Sequence, residues 1–69
     1  MMALRLADIR VSKGFTQVQL AEKSGISQET ISLYETGKQR PLPESLIKLA
    51  KALDCSVGEL LGIENGGAE

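Results

Sequence analysis

Gln17-Val18-Gln19-Leu20-Ala21-Glu22-Lys23-Ser24-Gly25-Ile26-Ser27-Gln28-Glu29-Thr30-Ile31-Ser32-Leu33-Tyr34-Glu35-Thr36-Gly37-Lys38 is the stretch whose reading decides the fold. Apolar positions recur in it at helical spacing, and glycine interrupts the pattern at Gly25 and Gly37. Thr16, just ahead of it, and Gln19 have the form of a capping box, in which each side chain bonds the other residue's backbone N–H. A helix is therefore predicted up to Ser24, with Leu20 and Ala21 on its buried side. Gly25 ends it, because glycine adopts the left-handed conformation that closes a helix without steric cost. Ile26 plugs the turn, Ser27 caps a second helix from Gln28 to about Thr36, and Gly37 stops that one. Two short helices flank a tight glycine turn, and neither can build a core alone.

The flanking sequence supplies the rest. A helix is predicted from about Leu4 to Lys13, with Gly14 past its end, Phe15 folding back onto the core, and an inward arc of Leu6, Ile9 and, oddly, Arg10. After the central stretch, Lys38-Gln39-Arg40-Pro41-Leu42 reads as a polar, basic loop. Pro43 suits the first turn of a fourth helix that carries Leu46, Leu49, Ala50 and Leu53 at core spacing. Ser56 and Glu59 form a second capping box for a short helix over Val57 to Leu61, ended by Gly62. No strand, repeat or linker is visible. The fold class is all-α, a compact five-helix domain over residues 4–62, with residues 63–69 read as a flexible tail.

Composition narrows the function. Sixty-nine residues make one domain with a small core and modest stability. The longest apolar runs are far short of the ~20 residues that span a bilayer, and no signal peptide opens the chain, so a cytoplasmic protein without a membrane partner is expected. The chain has one cysteine and no histidine. Cys55 therefore has no internal disulfide partner and reads as a small packed residue, with redox sensing as the rival role; no metal and no cofactor are expected. An enzyme is not expected either, since no nucleophile–base pair or carboxylate pair is recognisable. The formal net charge of −1 speaks against a nucleic-acid partner, but its distribution does not. All eight basic residues precede Asp54, whereas Asp54–Glu69 holds four acids and no base. The two ends of the chain are built for different surroundings.

At 100° per residue, Gln28, Glu29, Ser32 and Leu33 fall on one arc of the third helix, and Thr30, Ile31, Tyr34 and Glu35 on the opposite one. One face is open to be read and the other is packed. A carboxylate at Glu35 on the packed face is costly unless paired, and Arg10 holds the matching odd place on the first helix. Two arrangements satisfy both: they meet, which is the expectation, or each snorkels to solvent.

These residues resemble the Cro/phage-repressor (XRE-like) helix-turn-helix family of transcription regulators. Arg10, Gly14, Gln17, Leu20-Ala21, Gly25, Ser27, Ile31, Glu35, Gly37 and Pro41 stand in that family's order and spacing, across about Leu4 to Gly62, with the helix-turn-helix motif at about residues 17–36. The resemblance implies a lambda-repressor-like domain in which Arg10 and Glu35 form a structural ion pair joining the first helix to the recognition helix. It implies that Gln28, Glu29, Ser32 and Leu33 read bases in a major groove, Leu33 either touching a thymine methyl or standing exposed without a role, and that Gln17, with Ser27 and Thr30, holds phosphate. Lys38, Gln39 and Arg40 follow the recognition helix, placed for backbone phosphates or as a solvated loop. A Gln side chain suits adenine, which makes Gln28 the first choice for a base reader. Leu33 stands where such proteins often carry a polar or basic residue, Glu29 can accept from cytosine or repel phosphate, and Ser24 replaces a more apolar residue; base preference stays open.

So few phosphate-neutralising side chains make a monomer a weak binder, and a homodimer on a palindromic operator is the expected remedy. Val57, Leu60, Leu61 and Ile63 exceed what one short helix comfortably buries, so they form either the two-fold contact or the closure of the core. The expected function is a double-stranded-DNA-binding transcription regulator acting as a repressor, bacterial or phage-encoded and nucleoid-associated when bound. The rival is a protein-interaction module on the same fold, antitoxin-like or coactivator-type. The domain also suits a fragment of a longer regulator.

Overall fold

A computed structural model describes residues 4–63. Five helices follow one another: α1 (Leu6–Ser12), α2 (Gln17–Ser24), α3 (Gln28–Glu35), α4 (Pro43–Leu53) and α5 (Val57–Leu61), with no strand among the described residues. The expected five-helix, all-α order is present. Residue 63 aside, the tail expected to be flexible lies outside the described residues.

The ends of the helices follow from local chemistry. Thr16 Oγ1 accepts from the Gln19 N–H, and the Gln19 side chain accepts from the Thr16 N–H, closing the box that starts α2. Ser56 and Glu59 do the same for α5. Gly25 and Gly37 take φ of +78°, where any Cβ would bring backbone strain even though nothing lies within 4 Å to obstruct it. The first helix is shorter than expected, beginning at Leu6 rather than Leu4. Arg5 has φ −98° and ψ 27°, outside the helical region, and its N–H donates to the Leu60 carbonyl at 2.8 Å, which binds the entry of α1 to α5.

Leu6, Leu20, Ile31, Leu49, Leu53 and Leu60 are fully buried, and Ile9, Tyr34 and Ala50 nearly so. Each large side chain so enclosed stabilises the fold by about 1.5–3 kcal/mol relative to exposure. Phe15, Ile26 and Leu46 close the rim. α2 packs between α3 and α4, and the Tyr34 hydroxyl donates to Ser45 Oγ at 3.3 Å, tying α3 to the start of α4. Ser24, odd in an apolar position, accepts from the Ile26 N–H at 3.2 Å and so stiffens the turn between α2 and α3. No helix among the described residues is long and apolar enough to cross a membrane.

One expectation is corrected. Leu60 is completely enclosed within the chain's own core, so it cannot serve a contact between subunits. Val57 packs half-buried against the same core. Leu61 is half-buried and Ile63 is 56% exposed, leaving these two at the surface of that end.

Candidate nucleic-acid interface

α3 presents two unlike faces. Ile31 and Tyr34 point into the core, whereas Gln28, Glu29 and Leu33 are exposed and Ser32 half-exposed. These four, with Gln17 from the start of α2, line one open groove of about 600 Å³. An α-helix with its side chains is about 10–12 Å across, which the ~12 Å width of the B-DNA major groove admits. Ser27 caps α3 through its Oγ, which accepts from the Thr30 N–H at 3.2 Å. Its hydroxyl proton goes to Thr30 Oγ1 at 2.9 Å, so Ser27 has no proton left for a phosphate while Thr30 keeps one.

Under this face runs a polar seam. Arg10 Nε donates to Glu35 Oε2 at 2.7 Å and Nη2 to Oε1 at 3.2 Å, in a two-pronged pair. Arg10 Nη1 donates to the Phe15 carbonyl at 2.8 Å. The side chains are only 15% and 7% exposed, so the pair bridges α1 and the end of α3 largely away from water. Gln17 Nε2 donates to Glu35 Oε1 at 2.9 Å, and Gln17 Oε1 accepts from Gln28 Nε2 at 3.5 Å. Gln17, which the resemblance assigns to phosphate, is therefore also anchored inward, with one of its two amide protons engaged. Neither that anchor nor the Tyr34–Ser45 bond was anticipated; the only trace of the first in the sequence is that Gln17 opens α2 beside a helix bearing a buried acid.

Lys38, Gln39 and Arg40 sit at the far end of α3. The N–H groups of Lys38 and Gln39 both donate to the Leu33 carbonyl, at 2.9 and 3.2 Å, which fixes how the loop leaves the helix. All three side chains are exposed. The candidate phosphate contacts thus form two groups, Gln17 and Thr30 toward the front of α3 and Lys38–Arg40 behind it. Among the described residues no cluster of three His, Cys, Asp or Glu could hold a metal. Burial pushes the Cys55 thiol above its ordinary value, assisted by Glu59 and Asp54 and opposed by Lys13, so it is a protonated thiol and a poor redox nucleophile at neutral pH.

A family model described as helix-turn-helix matches residues 6–60. The cryptic phage CTXphi transcriptional repressor RstR of Vibrio cholerae is 43% identical over 58 residues, which are 84% of this chain and 52% of that protein. This chain thus spans about half of that relative's length. Among solved structures, the restriction-modification controller protein C.AhdI from Aeromonas hydrophila superimposes with a TM-score of 0.79 at 36% identity, covering 81% of this chain and 85% of that one. The P22 c2 repressor protein in complex with synthetic operator 9T gives 0.79 at 33% identity, covering 87% and 91%.

Proposed function

The chain belongs to the helix-turn-helix family of Cro and phage-repressor type, and from that premise we propose that it is a transcription repressor reading a palindromic operator as a homodimer. The observation that carries this reading is the outward face of α3, where Gln28, Glu29 and Leu33 stand exposed and Ser32 half-exposed in one row beside Gln17. Gln28 is the adenine reader, its carboxamide able to meet N6 and N7 together, and Leu33 meets a thymine methyl. Glu29 accepts from a cytosine amine or, where no cytosine faces it, discriminates by repulsion.

Backbone contacts fall to Gln17 and Thr30 on one side and to Lys38, Gln39 and Arg40 on the other. Each neutralised phosphate adds one increment of counterion release, and so few increments make a lone domain weak at physiological salt. Two copies related by a two-fold axis double the number. Leu61 and Ile63 supply the seam in this reading, because they are the apolar side chains of that end the core leaves at the surface.

The test is selection from a randomised duplex pool at two salt concentrations. A recovered palindrome with half-sites one helical turn apart, weakening steeply with salt, is the expected result. No enrichment by the folded protein overturns the reading in favour of a protein-interaction module on this fold.

A further inference from the structure

A second concavity lies apart from the groove of α3 and shares no lining residue with it. It is an open cleft of about 410 Å³ between the ends of α2 and α4, lined by Lys23, Ser24, Lys48, Lys51 and Ala52. Three lysines line it, and among the described residues no carboxylate lies within 4 Å of any of their ammonium groups. Lys23 and Lys51 stand in the last turns of their helices, where the carbonyl ends favour a cation. That accounts for two of the three lysines. Lys48 is mid-helix and has no such compensation; Glu44 precedes it by one turn without closing an ion pair.

The rest of the lining suits a peptide. Lys23 Nζ lies 5.2 Å from the centre of the Phe15 ring, which holds one wall in place. Ser24 Oγ accepts from the Ile26 N–H, so its own proton is free to donate to an anionic oxygen. Ala52 and the lysine stems give an apolar floor. Gln17 begins α2 and Lys23 lies six residues on, about 9 Å along the axis and 240° around it, so the two concavities look in different directions.

We propose that this cleft docks an acidic peptide segment of a partner protein, with closely spaced carboxylates on Lys23, Lys48 and Lys51 and a donor bond from Ser24. Charge complementarity selects the partner: three lysines without a carboxylate partner, around a short apolar floor, match an extended acidic strand. A duplex is a stiff rod that α3 already engages in the reading above, whereas an extended peptide is narrow enough to lie in a small open cleft. The surface stays open while α3 is occupied, so the domain binds operator and partner together.

The experiment uses the full chain, isotope-labelled, titrated with a fluorescent hexaglutamate peptide at low salt, with anisotropy for affinity and amide shifts for location. The shifts are expected to centre on Lys23, Ser24, Lys48, Lys51 and Ala52. The double variant Lys48→Ala/Lys51→Ala is expected to bind the peptide about five- to tenfold more weakly, with operator affinity unchanged. The variant Lys38→Ala/Arg40→Ala removes the same net charge elsewhere and is expected to bind the peptide as the parent does. Equal loss in both variants would mean unspecific attraction and overturn the proposal. So would equal shifts from inorganic phosphate alone, or a weaker operator complex with a shallower salt slope in Lys48→Ala/Lys51→Ala, which would assign these lysines to DNA phosphates.

Discussion

The two halves of this domain share one apolar core and differ in what is added to it. Where α1, α2 and α3 meet, a polar seam runs from Arg10 through Glu35 to Gln17 beside the buried Leu6, Ile9, Leu20 and Ile31; where α4 and α5 close the other side, Leu49, Leu53 and Leu60 are enclosed. Leucine contacts are non-directional and scale with area. The seam stabilises only while every member is present, because a lone buried charge is costly. The seam adds orientation to a core that supplies compactness throughout.

The largest expected effect comes from breaking the seam at its charge. Arg10→Met leaves a carboxylate only 7% exposed with Gln17 as its remaining partner, and unfolding in denaturant should show a loss of about 3–5 kcal/mol. Adding Glu35→Leu to that variant should restore most of the loss, whereas a merely additive second penalty would show that the seam is not a unit. On the apolar side, Leu60→Ala should cost about 2–5 kcal/mol by the same measurement, and Leu60→Met less than about 1.5 kcal/mol because volume is nearly kept.

The contrast also explains what the sequence made legible. Both capping boxes and the Gly25 turn involve residues within four positions of one another, so they could be read from local spacing. Arg10 and Glu35 stood out because periodicity put a charge on each of two buried arcs. Leu60 did not, because the facing of a five-residue helix is set by where it docks, and the bond that binds it, from Arg5, crosses almost the whole chain. The Gln17–Glu35 and Tyr34–Ser45 bonds depend on crossing angles between helices, which no pattern of letters carries.

The remaining predictions ask whether the seam reaches the groove. Gln28→Ala should relax preference at one operator position by about 1–3 kcal/mol, seen as a flattened column in a repeated binding selection. An unchanged preferred sequence would remove Gln28 from the readers. Arg40 lies outside both halves, so Arg40→Ala should weaken all duplexes alike by a smaller amount and lower the slope of log affinity against log salt by about one, measured by titration at several salt concentrations.

Glu35 has a consequence for the polarity of the reading surface. A carboxylate can only accept, so the Gln17 amide must turn its nitrogen inward and its oxygen outward. The Gln28 Nε2 lies 3.5 Å from that oxygen, a long contact that favours one orientation of its carboxamide without locking it. A guanidinium in the first helix, acting through Glu35, thereby decides which end of the Gln17 amide is left toward Gln28.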